Sequence, residues 1–146
     1  MVTHDHKWIS EHIPHQGSMC LLDTVEQWDQ EHIVCRAVSH RLADNPLRVD
    51  GVLAMVNGIE YAAQAMAVHG ALLATRDKVP NVGFLASARE VCWNSERLDE
   101  VKDDLLVWAK RISGNEVNIL YEFSVHAGDL LLLTGRASVV LEVILS

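Results

Sequence analysis

The segment Gly58–Ala67 reads GIEYAAQAMA, almost wholly small and apolar, yet it carries Glu60 and Gln64 four positions apart. A helix stacks residues at that spacing on one face. From about Ala54 to Thr75 no proline interrupts the chain and alanine is the commonest residue. Alanine is the best helix former, so the run predicts a helix of roughly twenty residues. Asp50-Gly51 precedes it, and Arg76 and Lys78 follow where cations suit the helix dipole. A helix apolar nearly all round must be covered on nearly all sides. Its exceptions, Asn57, Glu60 and Gln64, form one polar stripe with Tyr61 on its shoulder. A carboxylate on a covered face needs a dedicated donor or a shifted pKa, which makes Glu60 a candidate acid or base. The alternative is a solvated Glu60 at the helix edge, or one paired with an arginine.

The segments around this helix read as extended chain. Residues 5–12 fit a short helix, closed by the loop IPHQGSM with Pro14 and Gly17. Leu21–Val25 and Ile33–Val38 are strand candidates around the polar EQWDQEH, and HRLADNPLRVDG is a loop. After DKVPN, the predicted strands are Val82–Ala88, Leu105–Ser113, Asn118–Ala127 and Leu130–Leu145. The turns SGNE and HAGD separate the last three, and NILYEFSVHA alternates as a half-buried antiparallel strand does. The fold class is α+β: one long apolar helix and a meander of long strands.

Bulk properties narrow the function. With 146 residues, 49% hydrophobic and 22% charged, the composition is that of one globular domain. A net charge of -8 without a Lys/Arg cluster excludes a nucleic-acid binder. Cys20, Cys35 and Cys92 are far apart in apolar neighbourhoods, which predicts reduced, buried thiols. The polar N-terminus MVTHDHKWIS and the lack of a membrane-length apolar run predict a cytoplasmic protein without membrane insertion. His4 and His6 flank an aspartate but lack a third ligand at suitable spacing, so neither a metal nor a cofactor is expected.

Two segments resemble a known family. IPHQGSMCLLDTV resembles the N-terminal PHR-x-P-x-LL-x-D-x-V pattern of the small hotdog-fold 3-hydroxyacyl-acyl-carrier-protein dehydratases, and GIEYAAQAMA resembles their central-helix E-x-x-AQ pattern. VGFLASARE is similar to the strand that follows the helix. The nearest pattern is the divergent branch associated with aryl-polyene gene clusters, with Gln16 in place of Arg and Ser18 in place of Pro. The resemblance implies a single hotdog domain over residues 1–146, a long helix rolled in a curved antiparallel sheet.

The resemblance also implies a reaction: dehydration of an acyl-carrier-protein-linked 3-hydroxyacyl thioester to the trans-2-enoyl thioester, in fatty-acid-like or polyene biosynthesis. The family's acid carries over to Glu60. Its loop histidine does not, because counting back fourteen positions from Glu60 reaches Pro46. His15 is then the candidate second catalytic residue, against a reading in which its imidazole only braces the loop. His40, six positions before Pro46, is a lesser candidate, and His69 reads as packed. Met55, Val56 and Asn57 are expected to bind substrate at the helix start, with the Met55 N–H facing the thioester oxygen. Gln64 is expected to orient Glu60 or substrate, and Phe84 to line an acyl tunnel with Trp28, Trp93 or Trp108, although core packing is the alternative for each. A homodimer or larger assembly is expected, with each site built from two chains and a second hotdog protein as another partner. Arg41, Arg48, Arg89 and Arg111 are candidate contacts for an acidic carrier protein. A hotdog thioesterase and a non-catalytic partner subunit are the competing functions.

Overall fold

The computed structural model describes residues 2–77, 81–115 and 117–143. Helix α1, His6–His12, is capped by the Asp5 side chain, which accepts from the Trp8 N–H. A 3-10 turn at Gly17–Met19 follows, opened by Gly17 at φ 58°, a left-handed conformation that glycine adopts without strain. Strands β1 (Thr24–Trp28) and β2 (His32–Ala37) pair around a turn in which Asp29 Oδ1 accepts from the N–H groups of Glu31 and His32. Helix α2 runs Gly58–Asp77, and β3 (Asn81–Trp93), β4 (Leu105–Gly114), β5 (Asn118–Ala127) and β6 (Leu130–Val143) complete the chain.

The six strands form one antiparallel sheet in the order β1-β2-β4-β5-β6-β3. Helix α2 packs against strands from across that sheet, with Tyr61, Ala62, Ala65, Met66, Val68 and Leu72 all buried. Alternation along β5 sends Ile119, Tyr121, Phe123 and Val125 to the helix side and leaves Glu122 exposed. The long helix against an antiparallel sheet agrees with the expected α+β class.

Three expectations need correction. Leu21 and Leu22 were expected in a strand; they are buried at 1% and 0% exposure but precede β1, which starts at Thr24 and runs through the polar EQW. Their burial, at about 1.5–3 kcal/mol per side chain, anchors a loop instead of a strand. Second, β3 continues five residues past Ala88, to Trp93. A bulge between Arg89 and Cys92, with Glu90 at φ 55°, turns its end outward. Cys92 is therefore exposed, unlike the buried Cys20 and Cys35, and Trp93 is exposed as well. Third, Trp108 lies on the outer face of β4, so neither it nor Trp93 is a tunnel wall or core residue. Trp28 does pack against the core, and the side chain of Phe84 lies outside the described residues.

One buried polar tie crosses this core. His69, fully buried in α2, places Nε2 2.8 Å from the Asp29 carbonyl and Nδ1 2.7 Å from the Tyr121 hydroxyl. A carbonyl only accepts, so Nε2 carries the proton and Tyr121 donates to Nδ1. Burial pushes the His69 pKa down, which keeps the ring neutral. A histidine with a depressed folded pKa adds stability above its unfolded value of about 6.5 and loses it as pH falls. His69→Phe is expected to lower stability at pH 7.5 by about 1–3 kcal/mol and to weaken the fall in melting temperature between pH 7.5 and 5. Thermal unfolding across pH checks this, and an unchanged melting temperature with an unchanged pH slope contradicts it.

Candidate active site

Glu60 sits in the first turn of α2, where the helix dipole favours its negative charge. Its Oε1 lies 3.1 Å from His15 Nε2 and 3.3 Å from Gln64 Nε2. The glutamate is half-buried, with 33% of its side chain exposed, and His15 is 25% exposed. Hydrogen bonding from His15 holds the Glu60 carboxyl below its ordinary range. Partial burial opposes that effect and Gln64 adds to it. The carboxylate is thus the resting form. On the other side of the imidazole, His15 Nδ1 is buried without a hydrogen-bond partner among the described residues.

Gln64 explains how a loop histidine reaches the helix. Its side chain is fully buried, so each half of the carboxamide needs a partner. Oε1 accepts from the Leu21 N–H at 2.8 Å, and Nε2 donates to the Met19 carbonyl at 2.7 Å. That two-point clamp fixes the segment following the His15 loop one helical turn from Glu60. A second network holds the same segment from behind. Ser39 Oγ donates to the Leu21 carbonyl at 2.8 Å, and the Tyr61 hydroxyl, 2.7 Å from Ser39 Oγ, accepts from Asn45 Nδ2 at 3.1 Å.

The loop containing Pro46 makes no corresponding delivery. Pro46 is exposed, and its neighbour Asn45 turns inward to bond Ser39 and Tyr61. His40 is buried with Nε2 3.0 Å from both the Val101 and Asp103 carbonyls, which makes it a brace for residues 101–103. Burial pushes its pKa down.

The structure brings Glu60, His15 and Gln64 together, and the pairing of Glu60 with His15 forms within one chain. It does not gather the other predicted site residues there. Met55 is buried and its N–H already donates to the Glu96 carbonyl at 2.8 Å, so that amide is not free for a thioester oxygen. Val56 is 42% exposed, and Asn57 bonds the Ala54 carbonyl through Nδ2. Arg41 pairs with Asp104 in the segment before β4, and Arg48 binds the Leu42 and Gly51 carbonyls of its own loop, so both are engaged as braces.

Beside the His15–Glu60 pair lies a cavity of about 210 Å³ whose walls include Ala63, Met66, Ala67, Gly83 and Val139. Sequence reasoning did not single out these residues. Their only signal was helical spacing from Glu60, which places Ala63 and Ala67 on its face. An ionised carboxylate 3.1 Å from an imidazole at the edge of an apolar cavity can move a proton on a substrate whose tail is hydrophobic. Among the described residues no group of three or more His, Cys, Asp or Glu side chains is placed to hold a metal ion, and no helix is long and apolar enough to cross a membrane.

Comparison with known proteins points the same way. A family model described as ApeP-like, ApeP dehydratase, matches residues 7–142. No curated protein matches in sequence. Among solved structures, the dehydratase heterocomplex ApeI:P from Xenorhabdus doucetiae aligns with a TM-score of 0.79 at 22% identity, covering 90% of this chain and 89% of that one. A mutant thioesterase from Pseudomonas aeruginosa aligns at 0.69 with 10% identity, covering 97% and 96%. A thioesterase from Haemophilus influenzae aligns at 0.63 with 10% identity, covering 84% and 80%.

Because His15 is the main cause of the depressed Glu60 pKa, His15→Ala is expected to raise that pKa, leaving burial as the dominant influence. Carboxyl-carbon NMR titration of the two proteins reads the shift. An unmoved Glu60 resonance midpoint contradicts the pairing.

Proposed function

Since the chain belongs to the ApeP-like dehydratase family, we propose that it dehydrates a 3-hydroxyacyl thioester to the trans-2-enoyl thioester, with Glu60 and His15 as its acid–base pair. The observation that carries this reading is the 3.1 Å contact between them at the edge of an apolar cavity. Elimination needs one group to take the C2 proton and another to protonate the departing C3 hydroxyl. In the reactive form Glu60 is ionised and His15 is protonated on both ring nitrogens, with its Nε2 proton facing the site. Glu60, ionised at rest, takes the C2 proton. The imidazolium gives its Nε2 proton to the C3 hydroxyl, which leaves as water. The proton on Glu60 then returns to the imidazole across their short contact, and the pair is restored with no net gain or loss.

Negative charge on the thioester oxygen grows during this step. The positive end of α2, which begins at Gly58, lies beside Glu60 and favours that charge. With the Met55 amide committed to Glu96, we assign the oxygen to the N–H of Val56, the next residue in the opening turn. Gln64 fixes the angle of Glu60 and holds the His15 loop, so its role is positioning.

The substrate we assign is carried on an acyl carrier protein and has a fatty-acid-like or polyene chain. The apolar cavity supports the chain. A carrier contact falls to Arg89 and Arg111, because Arg41 is engaged by Asp104 and Arg48 by its own loop. We further propose that the chain works as an oligomer or beside a second hotdog protein. Strand β3 stands at the sheet edge over thirteen residues, and an unpaired edge of that length invites another strand. The fold match to a dehydratase heterocomplex supports the same idea.

Thioester hydrolysis is the second reading, supported by the thioesterases of like fold and by a resting carboxylate able to activate water. One assay separates the two: incubate the protein with a 3-hydroxyacyl carrier thioester and follow enoyl product and free thiol together. Dehydration is expected, with Glu60→Gln and His15→Gln each lowering the rate by about 10²–10⁴-fold. Thiol release without enoyl product would transfer the assignment to hydrolysis.

A further inference from the structure

We infer that Gly70 sets the length of acyl chain the site accepts, by leaving open the cavity space farther along the helical face that carries Glu60; the inference rests on the thioester reading above. The 210 Å³ cavity at the acid pair adjoins a second of about 280 Å³, and Pro14, Met66, Ala67, Gly83 and Val139 line both. The second extends along α2 past Gly70 and Ala71, with Ile119 and Tyr121 on the facing wall. Glu60, Ala63, Ala67 and Gly70 lie at i, i+3, i+7 and i+10, so one face of the helix runs from the carboxylate into this space.

Glycine at position 70 is not demanded by the helix. It is less favourable than alanine or leucine in a helix interior, and this residue lies well inside the twenty-residue α2. Nor does crowding demand it, because a Cβ built there meets nothing within 4 Å. Positive φ is not the cause either, as Gly70 is absent from the residues with that conformation. What the missing side chain does provide is free space in the cavity wall. The opposing wall does not yield to compensate: the Tyr121 hydroxyl is tied to His69 Nδ1 at 2.7 Å. Ten residues of helix separate Glu60 from Gly70, about 15 Å along the axis, the extended length of roughly a dozen chain carbons. A short acyl group ends well before Gly70, whereas a twelve-carbon chain reaches the space that a leucine side chain at position 70, leaning toward the helix N-terminus, would fill.

The test is Gly70→Leu, a substitution that favours the helix and projects four carbons into the cavity. Measure kcat/KM of the purified protein, with any hotdog partner that copurifies, on 3-hydroxybutyryl and 3-hydroxydodecanoyl thioesters of N-acetylcysteamine. The long substrate is expected to lose about tenfold or more while the short one stays within about twofold. Equal losses on both, or no loss on either, overturn the inference. Calorimetric binding of the unreactive butyryl and dodecanoyl thioesters is read in parallel. If the wild type dehydrates neither substrate, the dehydratase reading fails by itself. A dodecanoyl-selective loss of binding in G70L then still supports the length limit, and equal binding by both proteins overturns it.

Discussion

A fully buried carboxamide with both ends satisfied is the constraint on which this site depends. Gln64 holds the Leu21 N–H and the Met19 carbonyl, and nothing else could leave that side chain buried at low cost. The clamp carries the loop over α2, and the buried Leu21 and Leu22 keep it there. His15, a few residues upstream, is thereby presented to Glu60 one turn away from Gln64. A loop histidine, which would otherwise lose rotamer freedom for little return, acquires a fixed partner. The carboxylate it meets is already favoured by the helix dipole and remains charged despite partial burial.

This arrangement accounts for a dehydratase-family chain with proline at position 46 in the loop before the central helix. The Pro46 loop has become a brace: Asn45 bonds Ser39 and Tyr61, and that network supports the carbonyl side of Leu21 while Gln64 holds its amide. The Pro46 loop here stiffens the loop that supplies His15. The aid is indirect, through backbone position.

Much of this was legible in the sequence, and for physical reasons. Alanine content and the unbroken apolar run announced α2, and the misfit of Glu60 and Gln64 within it announced the polar stripe. Period-two alternation announced β5, and Gly128 in the turn after it announced the hairpin. What escaped was tertiary. Leu21 and Leu22 look like strand residues because burial alone does not distinguish a packed loop from a strand. Cys92 and Trp93 look buried by composition, but a bulge at Glu90 decides which way they face. The loss of the Met55 amide to Glu96 depends on a contact 41 residues away in sequence, which no local pattern records. The cavity walls beyond the acid pair are mostly ordinary apolar residues such as Ala63, Met66, Ala67 and Val139, unmarked until the fold sets them around an empty space.

In the proposed reaction Glu60 and His15 act as one unit. A double-mutant cycle on kcat/KM, using Glu60→Gln, His15→Gln and both together, addresses it most directly. Residues that share one proton cannot each be lost at full cost, so the double variant is predicted to be no slower than the slower single variant. Losses that multiply independently, or a double variant retaining wild-type turnover, would contradict the account.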